Sequence, residues 1–376
     1  MRRYIIFLTI FAFTCSCRTQ EKFQRDSKRS PSQSPSPTPG NQNQTNTGGG
    51  GGVLPPPDLK VALTGDTDTT PGGNELMKLV KSKGANALLI AGDLNYNKGA
   101  NAETFEKQVN EYLGADFPVF VVRGNHDKPW TDKGHYQDRM KKRYDALQQK
   151  GDIKWSGDPG MKSTVQYKGL AIAAVAPSNG VSVEDSVAEI AKLASLPEAW
   201  RIAMWHENMP AFRGNAGCGE GKDLVGWEVF EKAREVGAFI LNGHNHCYSR
   251  SKLLSCTGGS CSKEKNECKE GPELPVVAST SDPVGLMALD EGATYVLLSG
   301  MGGHQNGRIS ETGDWWAKQS GSACEAGGGS CEESDLGFVL CTFNPGGADP
   351  RKANCEFIDI KGKVTDKYTM TTAVGQ

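Results

Sequence analysis

Several side chains able to hold metal ions occupy the same kind of place in this sequence, just beyond a short apolar run. Asp66 follows the run at 60–63, Asp93 the run at 87–91, and Asn125 with His126 the run at 118–122. His206 follows 201–205, and His244 and His246 follow 238–241 in the tetrapeptide Gly243-His244-Asn245-His246. In open α/β sheets ligands gather at the carboxyl ends of strands, so this placement puts oxygen and nitrogen donors on one rim. In extended chain, residues i and i+2 share a face, so both imidazoles of the His-x-His pair can point into one site. Carboxylates suit hard cations, and imidazole suits Zn, Fe and Mn. A carboxylate between two ligand groups can bridge two metals about 3.5–4 Å apart, the spacing of two-metal hydrolases. Each motif alone is weak. Gly-Asp before a loop is common, a lone His after a strand is more often structural, and Asn-His-Asp suits a simple turn. The ordered series carries the weight.

The elements that must position these residues alternate. Strands are expected at Lys60–Leu63, Ala87–Ala91, Pro118–Val122, Leu170–Val175, Arg201–Trp205 and Ala238–Leu241. Further strands are expected at Val276–Ala278, Tyr295–Leu298, Phe338–Thr342, Glu356–Ile360 and Lys363–Tyr368. Helical spacing covers Asn74–Lys83, with Gly84 as C-cap, then Ala102–Leu113 and Arg139–Gln149. Alternation to about Leu241 and mostly strands thereafter predict an α/β chain with a mixed sheet. No internal repeat and no second linker is visible, so one folded domain is expected over 58–376.

The series Gly65-Asp66, Gly92-Asp93-x-x-Tyr96, Gly124-Asn125-His126-Asp127, His206 and Gly243-His244-x-His246 resembles the calcineurin-like metallophosphoesterases. Gly92-Asp93-Leu94-Asn95-Tyr96 is similar, more narrowly, to the purple acid phosphatases. Less specifically, Ser299-Gly300-Met301-Gly302-Gly303 and the stretch 357–362 also look like such enzymes. The resemblance implies a four-layer αββα sandwich with mixed β-sheets. It implies a first, ferric metal held by Asp66, Asp93, Tyr96 and His246. It implies a second, divalent metal (Fe, Zn or Mn) held by Asp93, Asn125, His206 and His244, with Asp93 bridging. Hard anionic donors in the first set suit a trivalent ion, and the amide and imidazoles of the second suit a divalent one. By the same resemblance, water on or between the metals attacks phosphorus. His126 protonates the leaving oxygen or binds the phosphoryl group, and Asp127 orients its imidazole. The implied activity is an acid-phosphatase-like hydrolysis of phosphate monoesters. Two alternatives stand beside it: a phosphodiesterase acting on nucleotides or phospholipid headgroups, and a non-catalytic surface binding protein on the same scaffold.

One position departs from the pattern. Two residues after the first Asp the purple branch usually has Gly and the wider superfamily His; here it is Asp68. We read Asp68 as a loop residue. The alternatives are a further carboxylate on the first metal or a hydrogen bond to a ligand, and in those cases Tyr96 could be a bystander. His304 is a candidate for the pocket or an ordinary loop His. Glu207, Asn208 and Arg213 read more readily as surface than as substrate mouth, and Trp315-Trp316 more readily as core than as a ligand platform.

The amino terminus reads as an address. Arg2 and Arg3 precede the apolar run Tyr4–Phe13, too short to span a bilayer but suited to a signal-peptide core. Ser16 before Cys17 resembles a bacterial lipobox, with Cys15 second. A lipoprotein signal peptide over 1–17, a lipid anchor on Cys17 and a place in the bacterial cell envelope are therefore expected. Arg18 after the Cys favours the outer membrane, by resemblance to Gram-negative lipoproteins. Residues 18–57, mostly Ser, Pro, Asn, Gln, Thr and Gly, cannot bury enough apolar surface to offset ordering and read as a disordered linker. The whole chain of 376 residues has net charge −2 and mean hydropathy −0.48. This balance excludes a broad basic field for nucleic acid and a polytopic membrane protein. Eleven Cys point to an oxidising compartment or metal ligation. The nine beyond Cys17 allow four disulfides at most, with Cys324–Cys331 and Cys341–Cys355 as local pairs, and lack the C-x2-C spacing of a zinc cluster.

Overall fold

In the strand Leu170–Val175, Leu170, Ile172 and Ala174 belong to one apolar cluster, and Ala171, Ala173 and Val175 to another. A strand apolar on both faces must lie between two layers. The architecture follows from that rule. The structure, a computed structural model, describes residues 52–96, 101–213, 225–254, 257, 286–310, 313, 315–325 and 331–374. The chain divides into two units, Met1–Gly49 and Gly50–Gln376, and the described residues all lie in the second.

In chain order the elements are β1 (Leu59–Thr64), α1 (Pro71–Ser82), β2 (Ala87–Ile90), α2 (Ala102–Tyr112), β3 (Val119–Val121), α3 (Tyr136–Gln149), β4 (Lys154–Asp158), β5 (Lys162–Tyr167) and β6 (Leu170–Val175). There follow α4 (Val183–Ala191), β7 (Trp200–Met204), α5 (Trp227–Glu235), β8 (Phe239–Asn242), β9 (Tyr248–Ser251), β10 (Leu286–Leu289) and β11 (Val296–Ser299). The last are β12 (Trp316–Gly321), β13 (Cys331–Glu333), β14 (Gly337–Phe343), β15 (Lys352–Asp359) and β16 (Val364–Thr372).

Among the described residues these strands form two mixed sheets, in the orders β10-β16-β15-β14-β1-β2-β3 and β13-β12-β9-β11-β8-β7-β6-β5-β4. Three apolar clusters separate four layers. One lies between the sheets and includes Val61, Leu63, Phe120, Ile172, Ile202, Leu241 and Val339. A second seats Leu76, Val80, Phe105, Val109 and Met140 of α1–α3 on the first sheet. The third seats Ile190, Val229 and Phe230 of α4 and α5 on the second. This is the expected αββα sandwich.

Parallel strands bring the chemistry to one rim. β1, β2 and β3 run parallel in the first sheet, and β6, β7, β8 and β11 in the second. The rims of the two sheets are stitched together where Gly65 N–H donates to Ser299 O at 2.7 Å and His304 N–H to Asp66 O at 3.0 Å.

Several expectations shift. α1 begins at Pro71 rather than Asn74, because Pro suits the first helical turn. β4, β5, β9, β10, β12 and β13 and helices α4 and α5 are additional to the sequence reading. β4 is mostly exposed, and β9 (Tyr-Ser-Arg-Ser) is fully buried although polar, so neither shows apolar alternation. The strand expected at Val276–Ala278 lies outside the described residues. Residues 52–57, expected in the linker, dock on the fold: Val53 N–H donates to Pro197 O at 2.7 Å, and Pro55 is buried with its carbonyl bonded by Asn344 at 3.0 Å.

Candidate metal centre

The rim is built from backbone that few residues adopt. Asp66, Asp68, Asp93 and His244 have φ of 57°, 54°, 52° and 70°. Left-handed backbone costs a residue with a Cβ on the order of 1–3 kcal/mol and gathers at functional sites. Two glycines leave room for the side chains. A Cβ at Gly92 would fall 2.5 Å from His206 Nδ1, and one at Gly124 would fall 2.0 Å from Asp93 Oδ1. The Gly of each motif is thus a packing requirement of its neighbour's ligand.

Two sets of donors converge. In the first, Tyr96 Oη donates to Asp66 Oδ1 at 2.5 Å and lies 2.9 Å from His246 Nε2, which is 3.4 Å from Asp66 Oδ1. In the second, Asn125 Oδ1 lies 3.0 Å from His206 Nε2 and 3.1 Å from His244 Nδ1. Asp93 joins them: its Oδ2 is 3.2 Å from His206 Nε2, and its charge bears on the Tyr96 phenol. One donor atom each of Asp66, Asp93 and His206 lie within 4.8 Å of one another. His206 turns Nε2 inward because its Nδ1 is held by Ala91 O at 2.7 Å, the backbone partner typical of a ligating imidazole.

The electrostatics call for cations. Asp66, Asp93 and Asp127 are buried, and no Lys or Arg among the described residues forms an ion pair with them. Buried uncompensated charge costs several kcal/mol per ion. With protons alone to balance it, the set distorts. Burial would lower the His206 imidazole, but the Asp93 carboxylate raises it to about 10. Burial would raise the Asp93 carboxyl, but His206 holds it well below the usual range. Burial and the neighbouring His206 charge push His244 down to about 4. Burial, then the Asp66 and Asp93 charges, drive the Tyr96 phenol far up. Carboxylates, an amide oxygen and imidazoles crowded this closely fit metal ions.

His126 is exposed at the mouth, with its ring centroid 4.4 Å from that of Tyr96 and its N–H donating to Asp93 Oδ1 at 2.9 Å. Asp127 does not face its imidazole as expected. Both Asp127 oxygens are taken by backbone: Gly124 N–H at 2.8 Å, Asp93 N–H at 2.9 Å and Leu94 N–H at 2.8 Å. It ties the Asp93 loop to the Asn125 loop, and burial, then the Asp93 charge, raise its carboxyl to about 7.

Asp68 is also more than a loop residue. It is buried, its Oδ1 accepts Thr69 N–H at 2.7 Å and Tyr96 N–H at 3.2 Å, and its Oδ2 lies 2.8 Å from His304 Nδ1. His304 stacks on Tyr96. Glu207, Asn208 and Arg213 are buried rather than at the surface, and Asn208 Nδ2 donates to Gly243 O at 2.9 Å, joining the His206 and His244 loops. Trp316 lies in the helix-side core of the second sheet, with Trp315 packed against it. The disulfides Cys324–Cys331 and Cys341–Cys355 are formed. Cys15, Cys17, Cys218, Cys256, Cys261 and Cys268 lie outside the described residues.

The family model described as calcineurin-like phosphoesterase matches residues 59–248. A purple acid phosphatase from yellow lupin (Lupinus luteus) seeds has a similar fold, with TM-score 0.53 and 15% identity over 85% of this chain and 55% of that chain. PhoD gives TM-score 0.46 and 11% identity over 83% of this chain and 69% of that chain. A dimetal phosphatase from Danio rerio gives 0.40 and 9%, over 84% and 99%. No curated protein matches the sequence.

Proposed function

The chain belongs to the calcineurin-like phosphoesterase family, and on that premise we propose that it is a binuclear metal-dependent phosphatase acting on phosphate monoesters. The observation that carries the reading is Asp93, a carboxylate placed between a Tyr96–Asp66–His246 set and an Asn125–His206–His244 set. We assign a trivalent iron to the first set with Asp93, and divalent Fe, Zn or Mn to the second with Asp93. When bound, such cations supply Lewis acidity toward phosphoryl oxygens and lower the pKa of coordinated water. The chain's own residues do the rest. Asp66 Oδ2 accepts His244 N–H at 2.8 Å and Asp93 Oδ1 accepts His126 N–H at 2.9 Å, which holds the loops that carry the donors in register. Asp127 locks the Asp93 and Asn125 loops together. His126, exposed beside Tyr96, delivers a proton from a ring nitrogen to the leaving oxygen of the ester.

The test is metal analysis of the purified full chain with p-nitrophenyl phosphate beside its bis ester, in wild type and His126→Ala. Two metals per chain, monoester preference, and a roughly 100- to 10,000-fold lower kcat in the variant with its metals retained are expected. Preference for the bis ester would make it a phosphodiesterase, and no hydrolysis with metals bound would make it a binding protein. We also propose that residues 1–17 are a lipoprotein signal and that Cys17 carries the lipid anchor to the bacterial envelope, on the strength of Ser16-Cys17 after the apolar run.

A further inference from the structure

Tyr96 stands apart from the other proposed ligands. It lies six residues past the end of β2, in a loop, where no strand register fixes its ring. Its hydroxyl nonetheless meets Asp66 and His246 at hydrogen-bond distance. A closed circuit of contacts accounts for this. The Asp68 carboxylate, 1% exposed, accepts Tyr96 N–H through Oδ1 at 3.2 Å. Its Oδ2 lies 2.8 Å from His304 Nδ1. The His304 ring lies nearly parallel to the Tyr96 ring, with centroids 3.5 Å apart and planes at 10°. His304 N–H donates to Asp66 O at 3.0 Å, returning to the residue whose carboxylate accepts the phenol. His126 covers the ring from a second direction, with centroids 4.4 Å apart and planes at 40°.

We propose that Asp68 and His304 form a positioning pair that aims the Tyr96 phenol at the first cation and so sets how firmly that cation is held. The inference rests on the proposed reading of Tyr96 as a ligand. One carboxylate fixes both the backbone of the tyrosine and the imidazole lying on its ring. A phenol left to rotate about its χ angles would spend part of its time off the metal, so the pair lowers the ordering cost of ligation. Neither residue belongs to the proposed ligand set.

The test uses the full-length protein loaded with Fe(III) and Zn(II), with the visible phenolate-to-iron band and the release of each metal to a chelator as readouts. Asp68→Gly is chosen because glycine accepts the φ of 54° at this position without strain. His304→Ala removes the stacked ring. Wild type should show the band and Tyr96→Phe should lose it. Asp68→Gly and His304→Ala should both shift the band and release iron roughly 10- to 100-fold faster, with zinc release at the wild-type rate. Wild-type band and iron release in both variants would overturn the proposal. So would equal acceleration of both metals, which marks general loosening. A wild type lacking the band would remove Tyr96 as a ligand and this inference with it, whereas hydrolysis of p-nitrophenyl phosphate judges the proposed function separately.

Discussion

At His206, burial and a neighbouring charge oppose each other. Its ring is fully buried, yet the Asp93 carboxylate holds its proton up to about 10. The folded value lies above the unfolded one of about 6.5. Its stabilising contribution is therefore full below about pH 6.5 and is lost as pH rises toward 10. A metal ion would compete with that proton for the same Nε2. Zinc loading at pH 8 is expected to release a proton, so the heat of binding should differ between buffers of different ionisation enthalpy. Equal heats in such buffers would count against His206 as a ligand. At this scale the residue types and their Gly neighbours were legible in the sequence. The partners were not. Asp127 reads as an escort of His126 because it is adjacent, but its carboxylate serves three backbone N–H groups brought near by folding. Asp68 and His304 meet although 236 positions separate them.

At the scale of elements, the two sheets are pinned by a polar clamp within an apolar interface. Arg250 of β9 donates to Asp366 of β16 through Nε at 2.7 Å and Nη2 at 3.1 Å, and Tyr248 Oη donates to Asp366 Oδ2 at 2.6 Å. Both charged residues are buried. Removing one partner strands the other charge, so Asp366→Ala should destabilise the fold by about 3–5 kcal/mol. Denaturant unfolding measures this, and the double variant Arg250→Met with Asp366→Leu should recover much of the loss. If Asp366→Ala costs no more than an ordinary surface substitution, the clamp has no such role. Helices α1 to α3 were legible because their apolar spacing at 3.6 residues matches the face they bury. β9 was not, because Tyr-Ser-Arg-Ser owes its burial to neighbours on both sheets and not to its own hydrophobicity.

At the scale of the molecule, charge is divided along the chain. Residues 1–57 carry seven basic and two acidic side chains, leaving a net −7 on the remainder. A basic segment beside a proposed lipid attachment suits an anionic membrane surface, each basic group adding about 1 kcal/mol near it. Cys17→Ser is therefore expected to move the protein from the membrane to the soluble fraction of its host cell, as fractionation and immunoblotting would show. Retention at the membrane would point to Cys15 or to another means of attachment. The disulfide Cys341–Cys355 joins facing residues of β14 and β15. The sequence suggested this pair from its short separation, whereas antiparallel register brings the two together.

What the sequence determined by itself was the inventory and its order: donors after apolar runs, glycines before them, and a family pattern from Asp66 to His246. Those features are local, set by backbone geometry and by the apolar pattern of each strand. Only tertiary structure brought these donors into contact, because Asn125 meets His206 and His244 across two sheets. It alone decided that Asp127 and Asp68 act on backbone and on Tyr96. Hydrogen bonds and ring stacking require approach within a few ångströms, and the packing of four layers supplies that approach.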